Sequence, residues 1–556
     1  ICFYGDKEVF VGVTSSTFSI EANIVDILNR NIGFGKITVT NGKITEHFIS
    51  DEIKEGWPYL LPGFIDAHIH IESSMLTPPA FARRAVMYGT VSTVSDPHEI
   101  ANVCGIEGVK YMVDLGRKSG FKFYFGAPSC VPATPFETAG ATLSVEDIRL
   151  LFEAGDVNYL AEMMNYPAVL SRDPLVMDKI QLAHDFGMPV DGHAPGLKGM
   201  DAENYASAGI TTDHECTTLE ESLDKIAAGM KIIIREGSAA KNYNALHTLI
   251  DLYPDEVMFC SDDKHPDDLL HGHINQLVTR SLLQEYDLFN ILKIACINPI
   301  EHYNLNTGQL RINDNADFIL VKDLSSFEVL STWIDGVQVF NGHEVLLPKV
   351  EIPVINSFGI TNFTKDSLQL NLKAANANVM VAINGALVTE HETILMNEGI
   401  FKKDIQRDIL KIVVVNRYST APPSITLIKG FGLQKGAIAS SVAHDSHNIV
   451  AVGTNDDDLA TCINEIIKHK GGVTAASGEE KYILPLPIGG LMSGETAEVV
   501  GSTYETIDHF VKSTLGSTLT SPFMTLSFMA LLVIPSLKLS DKGLFDGRTF
   551  QFTPLQ

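Results

Sequence analysis

The spacing of hydrophobic and polar positions changes twice along this chain. Residues 1–59 carry short alternating segments, and Asn41-Gly42 between two of them is typical of a β-hairpin turn. From about residue 60 to residue 300, short apolar runs alternate with segments of helical spacing. Residues 304–350 return to alternation, most clearly at 317–321. The pattern predicts a β–α region flanked by two β-rich segments.

The β–α region contains eight candidate strands. They cover residues 60–67, 90–95, 121–127, 157–163, 188–193, 209–214, 231–234 and 256–261. The clearest helical stretches between them are 78–88, 145–153, 175–186, 219–228 and 275–283. Eight β–α units of this total length match a (β/α)8 barrel. A doubly wound sheet is the alternative, but no G-x-G-x-x-G follows a strand, which disfavours it.

The β-rich segments lie on either side of the barrel in the sequence, so we expect them to complete one sheet. The predicted domains are a small β-sandwich-like domain from 1–59 and 304–354, the barrel at 60–303, and a C-terminal α/β domain at 357–556. The last contains an apolar strand at 410–415 and an amphipathic helix at 457–468. The predicted fold class is therefore α/β, a (β/α)8 barrel with a small flanking β domain and a C-terminal α/β domain.

Charge and cysteine usage narrow the partners and the compartment. The formal net charge of the 556 residues is −27, from 68 acidic and 41 basic side chains, which disfavours nucleic acids and anionic membrane surfaces. The seven cysteines are scattered without a C-x-x-C motif, as in a reducing cytoplasm. The apolar run 528–535 is far shorter than the ~20 residues of a membrane span.

Two histidines end the first barrel strand. His68 and His70 are separated by one residue, and residues i and i+2 of a strand point to the same face. Two neighbouring imidazole nitrogens can supply two of the ligands of a transition-metal site. Alone, the pair is equally compatible with two ordinary histidines on a solvated face.

Further ligand-type side chains follow other strands of the barrel. Glu162 lies on the fourth strand, and His193, His214 and Asp262 end the fifth, sixth and eighth. Each alone is compatible with a satisfied core or loop residue, but active sites of such barrels lie at these strand ends. Four histidines and two carboxylates suffice for two divalent ions. This nitrogen and oxygen set is compatible with Mn, Fe(II) or Zn.

Long sequence blocks around these residues resemble one family. The barrel contains PGFIDAHIHIESSML, SDPHEIANVCG, DGHAPGL, TTDHECTTLEE and CSDDKHPDDLLHGHIN, and the C-terminal region contains VAHDSHNIVAVGTNDDD and LPLPIGGLMS. These blocks closely resemble bacterial and archaeal adenine deaminases of the amidohydrolase superfamily. The resemblance covers the whole barrel and continues into the C-terminal domain.

The resemblance implies a division of the ligands between two metal ions. His68, His70 and Asp262 would bind one ion, His193 and His214 the other, and Glu162 would bridge them in place of the carboxylated lysine of many superfamily members. Asp263 remains an alternative to Asp262. The expected ions are Mn(2+) first, with Fe(2+) or Zn(2+) as alternatives.

The implied reaction is hydrolysis of adenine to hypoxanthine and ammonia, a step of purine salvage. A hydroxide bridging the metals would attack C6, with Glu215 delivering a proton to N1 and Asp262 passing the hydroxide proton to the departing amine. A solvated loop carboxylate is the alternative reading of Glu215. A single-zinc deaminase site is excluded because the H-x-E at 70–72 has no accompanying P-C-x-x-C.

Several polar residues near the ligands are candidates for the substrate shell. They are Glu72, Asp96, His98, Glu99 and Asp263. Each is expected either to contact a purine edge or to orient a metal ligand. For Asp96, capping a helix is the alternative. The segment 444–447 (His-Asp-Ser-His) resembles another metal cluster, although a polar loop packed against the barrel mouth is the favoured interpretation.

The expected partner is a small purine base, with no nucleic acid and no membrane. We also expect a cytoplasmic homo-oligomer, a dimer. A different amidohydrolase acting on cyclic amides or amidines is the main alternative function. A non-catalytic barrel scaffold is a weaker alternative, because such relatives typically lose ligands and this chain retains every one.

Overall fold

The computed structural model describes residues 17–238 and 240–556. Its centre is a ring of eight parallel strands. These strands are Phe64–Ile69, Thr90–Ser95, Lys122–Ala127, Tyr159–Met163, Val190–Gly192, Thr212–Asp213, Lys231–Arg235 and Val257–Cys260. The first five form one sheet and the last three another. Each of the eight predicted strands overlaps one of them.

Hydrogen bonds at the two seams close the ring. The N–H of Thr211 donates to the carbonyl of Val190 (2.9 Å), and the N–H of Asp262 donates to the carbonyl of His68 (2.9 Å). Helices surround the strands: Pro78–Ala85, His98–Cys104, Ile106–Lys118, Val145–Ala154, Tyr166–Leu170, Pro174–Asp185, Gly199–Ala206, Leu219–Ala227, Tyr243–Leu246, Leu249–Leu252, Pro266–Leu269, Ile274–Leu283, Leu288–Leu292 and Asn298–Tyr303. Because all strands run in parallel, their carboxyl ends meet at one mouth.

A seven-stranded sheet packs beside the barrel and combines both flanking segments. Its strands, in spatial order, are Val337–Phe340, Val329–Ile334, Phe318–Val321, Tyr59–Pro62, Thr17–Asp26, Asn31–Thr40 and Lys43–Ile49. The predicted strand 60–67 is thus divided at Gly63 between this sheet and the barrel. A Cβ at Gly63 would lie 2.2 Å from Val91 Cγ1, so only glycine fits where the chain changes sheets. The part of this domain before Thr17 lies outside the described residues.

The C-terminal domain is built on an eight-stranded, mostly antiparallel sheet. In spatial order its strands are Thr389–Leu395, Asn376–Ala382, Ser424–Lys429, Leu410–Val415, Ile449–Gly453, Ala437–Ser440, Gly472–Ser477 and Glu480–Pro485. Smaller strands are Asn371–Leu372, Gly399–Ile400, Leu537–Ser540, Gly543–Asp546 and Gln551–Phe552, and the helices are Asp456–His469, Ala497–Ser513 and Pro522–Phe528.

The predicted helix 457–468 is observed as Asp456–His469. Asn455 caps it by accepting from the N–H of Asp458 (2.9 Å), and three aspartates fill its first turn, where the helix dipole favours negative charge.

The observed architecture confirms the predicted fold class, with a barrel, a flanking β domain and a C-terminal α/β domain. None of the helices in 17–238 and 240–556 combines the length and hydropathy needed to cross a membrane.

Candidate metal centre and active site

The two histidines of the first barrel strand point their ring nitrogens at each other. His68 Nε2 and His70 Nε2 lie 3.2 Å apart, and both side chains are buried. With Asp262, they form a group of buried ligand-type atoms.

Glu162 lies at the centre of the group and reaches both sides of it. Its Oε1 is 3.3 Å from His70 Nε2, while its Oε2 is 2.7 Å from His193 Nδ1 and 3.1 Å from His214 Nε2. Burial alone would raise the pKa of this carboxyl, but these histidines hold the pKa of Glu162 well below its ordinary value. The two oxygens of one carboxylate therefore connect two sets of histidines.

The last strand contributes Asp262 rather than Asp263 to this group. Asp262 has a left-handed backbone conformation (φ 51°), and its Oδ1 lies 3.3 Å from His70 Nε2 and 3.7 Å from His68 Nε2. Asp263 points elsewhere, and its Oδ1 accepts a hydrogen bond from Ser73 Oγ (2.5 Å). The geometry thus distinguishes the two adjacent aspartates that the sequence left as alternatives.

The donor set fits divalent metal ions. His68, His70 and Asp262 each offer a ligand atom within 4.8 Å of the others, and so do His68, Glu162 and His214. Buried ring nitrogens and carboxylates clustered in this way are costly unless cations or hydrogen bonds compensate them. Nitrogen and oxygen donors without thiolate suit Mn, Fe(II) or Zn.

Arg235 is a site residue that the sequence analysis missed. Its Nη1 donates to Asp262 Oδ2 (2.6 Å) and to Glu215 Oε1, and its Nη2 donates to Glu215 Oε2 (2.9 Å). Arg235 ends the seventh strand, and the pattern of ligand-type residues does not include it because a guanidinium does not bind metal ions. Its place at a strand end was the signal that would have found it.

The predicted substrate-shell residues divide into two groups. His98, Glu99 and Asp263 line a cavity above the cluster. Glu72 and Asp96 do not line it: Glu72 Oε1 accepts from the N–H of Ile100 (3.2 Å), and Asp96 Oδ2 contacts His98 Nδ1 (2.9 Å). These two carboxylates hold backbone and side-chain donors behind the cavity wall. Burial raises the pKa of Glu72 to about 7.

The C-terminal domain forms the opposite wall of the same cavity. Its contribution consists of Leu387, His444, Asp445, Phe528, Leu531 and Ile534. His444 and His447 both contact the carboxylate of Glu99 on the barrel. The loop 444–447 is packed at the barrel mouth, as the favoured interpretation of the sequence had it.

Two family models match the chain. The amidohydrolase family model matches residues 59–339, and the model of the adenine deaminase C-terminal domain matches residues 386–551. The first covers the barrel with four neighbouring strands at one edge of the flanking sheet, and the second covers most of the C-terminal domain.

Curated relatives match over nearly the full length. The adenine deaminase of Sulfurovum sp. (strain NBC37-1) is 51% identical over 533 residues, covering 96% of this chain and 98% of that protein. The adenine deaminase of Methanosarcina mazei is 49% identical with the same coverages, and that of Borreliella burgdorferi is 48% identical, covering 96% of this chain and 99% of that protein.

Proposed function

The chain belongs to the adenine deaminase family, and we propose how its residues perform the hydrolytic deamination of adenine that it catalyses. The residues His68, His70, Glu162, His193, His214 and Asp262 would hold two divalent metal ions, with Glu162 shared between them. The observation that carries this proposal is the convergence of these ligand atoms at the strand ends, with both oxygens of Glu162 engaged.

When bound, two divalent ions lower the pKa of a water molecule and make hydroxide available at neutral pH. Overall, adenine C6 gains an oxygen from water and loses its amino group, which departs as ammonia. The protein must therefore supply a proton to the ring and to the leaving amine.

Asp262 and Glu215 are suited to these two proton transfers. Asp262 would accept a proton from water and pass it to the departing amino group, while Glu215 would deliver a proton to N1. Both oxygens of Glu215 accept from Arg235, a bidentate pairing that fixes the orientation of the carboxylate. Arg235 would keep the two carboxylates in place through its fork of donors.

The charge of the protein favours a free base over a nucleotide. The net charge of −27 opposes phosphorylated purines. We propose adenine as the preferred substrate, with adenosine poor, and with Mn(2+) as the first choice of metal and Fe(2+) or Zn(2+) as alternatives.

The test is to strip the metal and reload the apoenzyme with Mn(2+), Fe(2+) or Zn(2+) in separate samples. Full adenine deamination is expected at about two ions per chain, measured by elemental analysis together with ammonia release. Full activity with one ion or none would contradict the two-ion site. AMP turned over faster than adenine would contradict the proposed substrate.

We further propose a cytoplasmic dimer that acts in purine salvage. The cysteines of residues 17–238 and 240–556 are all free thiols, which supports a reducing compartment. Sedimentation of the metal-loaded protein tests the dimer, and a monomer would contradict it.

A further inference from the structure

One carboxylate of the barrel holds two histidines of the C-terminal domain. Glu99, on the helix His98–Cys104, contacts His444 Nδ1 through Oε1 and His447 Nε2 through Oε2. All three side chains are buried. Burial alone would raise the pKa of Glu99, but the two histidines hold that pKa well below its ordinary value. We call Glu99, His444 and His447 the histidine clamp.

His447 is held in the clamp by hydrogen bonds on both ring nitrogens. The N–H of Ala443 points at His447 Nδ1 (3.2 Å), so this nitrogen is the acceptor and Nε2 carries the hydrogen. A ring nitrogen that carries hydrogen cannot bind a metal. His447 therefore donates to Glu99, and its ring is fixed from both sides.

His444 differs from His447 because only one of its nitrogens is engaged. Its Nδ1 faces Glu99, whereas its Nε2 is buried without a hydrogen-bond partner in the part of the chain that the structure describes. The ring lies flat against Phe528, with centroids 4.7 Å apart and planes inclined by 18°, and it lines the cavity. A buried polar atom without a partner is destabilising, so such an atom at a binding cavity points to a ligand.

We propose that His444 Nε2 hydrogen-bonds a ring nitrogen of the bound adenine, and that Glu99 and His447 are positioning residues that act through His444. This inference rests on the proposed function, since it assumes a purine in the cavity. C6 and N1 face the proton-transfer groups of the barrel, which leaves N3, N7 and N9 for a group on the opposite wall. Phe528, Leu531 and Ile534 give that wall an apolar surface next to His444.

The charge environment supports a donor at this position. Burial would lower the pKa of His444, but Glu99 and Asp263 raise it to about 9. Near neutral pH the ring then carries hydrogen on both nitrogens, and Nε2 can donate to an unprotonated purine nitrogen.

Two substitutions separate the roles of the two ring nitrogens. His444→Asn keeps an amide near the position of Nδ1, where it can contact Glu99, and has no atom at the position of Nε2. His444→Gln extends its amide toward the position of Nε2. The exposed His509, on the helix Ala497–Ser513, provides the matched control His509→Asn.

The assay compares adenine with its 3-deaza, 7-deaza and 9-deaza analogues, each of which replaces one ring nitrogen by C–H. For His444→Asn we expect kcat/KM on adenine to fall about 10- to 100-fold, the size of one hydrogen bond to a charged group, with unchanged metal content and Tm. His444→Gln should recover part of the loss, and His509→Asn should match the wild type. For a contact to N3, the wild type and His444→Asn should become nearly equal on 3-deazaadenine. For a contact to N7 or N9, they should become nearly equal on both 7-deaza- and 9-deazaadenine, whose five-membered ring keeps only an N–H.

An equal loss on adenine and on all three analogues would overturn the proposal, and so would wild-type kcat/KM in His444→Asn. If His444→Asn fails to fold, Glu99→Gln replaces it and must show the same dependence on the analogue used, with a smaller loss; without that dependence the proposal fails. A wild-type enzyme that holds two metal ions and deaminates no purine would instead refute the proposed function.

Discussion

The barrel wall and the C-terminal wall of the cavity use similar polar residues in different ways. On the barrel wall, the ring nitrogens of His68 and His70 converge with carboxylate oxygens on a common point. On the C-terminal wall, His447 is held between the N–H of Ala443 and the carboxylate of Glu99. Histidine and carboxylate composition alone therefore does not identify a metal site. A ring nitrogen is available to a metal ion only where no hydrogen bond within the protein already engages it.

The two walls also differ in how they compensate buried charge. The barrel wall brings Glu162, Glu215 and Asp262 together with one permanent cation, Arg235. The remaining negative charge is suited to divalent ions. The C-terminal wall is mostly apolar, and its buried Lys538 donates to the carbonyls of Leu387 (2.7 Å) and Phe528 (2.8 Å), which keeps both segments at the cavity. The barrel wall therefore contributes charged groups, and the C-terminal wall contributes a mostly apolar surface that encloses the cavity.

Removing a histidine ligand from the barrel wall should have the largest effect. His68→Ala and His193→Ala should each lose metal and lower kcat by roughly 10³-fold or more, because metal assistance contributes several kcal/mol to such reactions. Elemental analysis and ammonia release on the same preparations measure both effects. Either variant with full metal content and full rate would remove that histidine from the ligand set. The exposed His509→Asn again serves as the control.

Changing the proton-transfer groups should have the next largest effect and should separate rate from metal content. Glu215→Gln should keep its metal and lose roughly 10²–10⁴-fold in kcat, the usual contribution of a positioned acid or base. Asp262→Asn should stay inactive even when excess Mn(2+) restores its metal content. A fully active, metal-loaded Glu215→Gln enzyme would exclude Glu215 from proton transfer. Asp263, which lines the same cavity, would then be tested next.

The smallest effect is expected from Lys538 on the C-terminal wall, and it concerns stability. Burial lowers the pKa of Lys538 from 10.5 to about 7. The unfolded chain therefore binds this proton more tightly than the folded chain, so the destabilisation is complete below about pH 7 and declines as the pH rises toward 10.5. The Tm should rise from pH 7 to about pH 9, and Lys538→Met should reduce that rise.

Differential scanning calorimetry across that pH range measures the Lys538 effect. The exposed Lys435 provides the matched control, because Lys435→Met should leave the pH dependence of the wild type unchanged. An identical dependence in Lys538→Met and in the wild type would show that Lys538 does not titrate in this range.

The difference between the walls also explains what the sequence could predict. The eight barrel strands and the six proposed ligand residues follow from local patterns, because a parallel barrel brings every strand end to one mouth. The contact between Glu99 and His444 spans 345 positions and leaves no local pattern. The side chain of Glu72 is oriented by the N–H of Ile100, and that of Asp96 by the ring of His98. Only the three-dimensional structure reveals these contacts.

The division of one cavity between distant segments has a consequence for the order of events during synthesis. Asp262 completes the barrel ligands, whereas Phe528 of the opposite wall lies near the end of the chain. At a synthesis rate of roughly 5–20 residues per second, the ribosome needs on the order of tens of seconds to pass from one to the other. During that interval the nascent barrel has its ligand residues but not its second wall. A cavity with both walls therefore exists only after the C-terminal domain has been made and has docked.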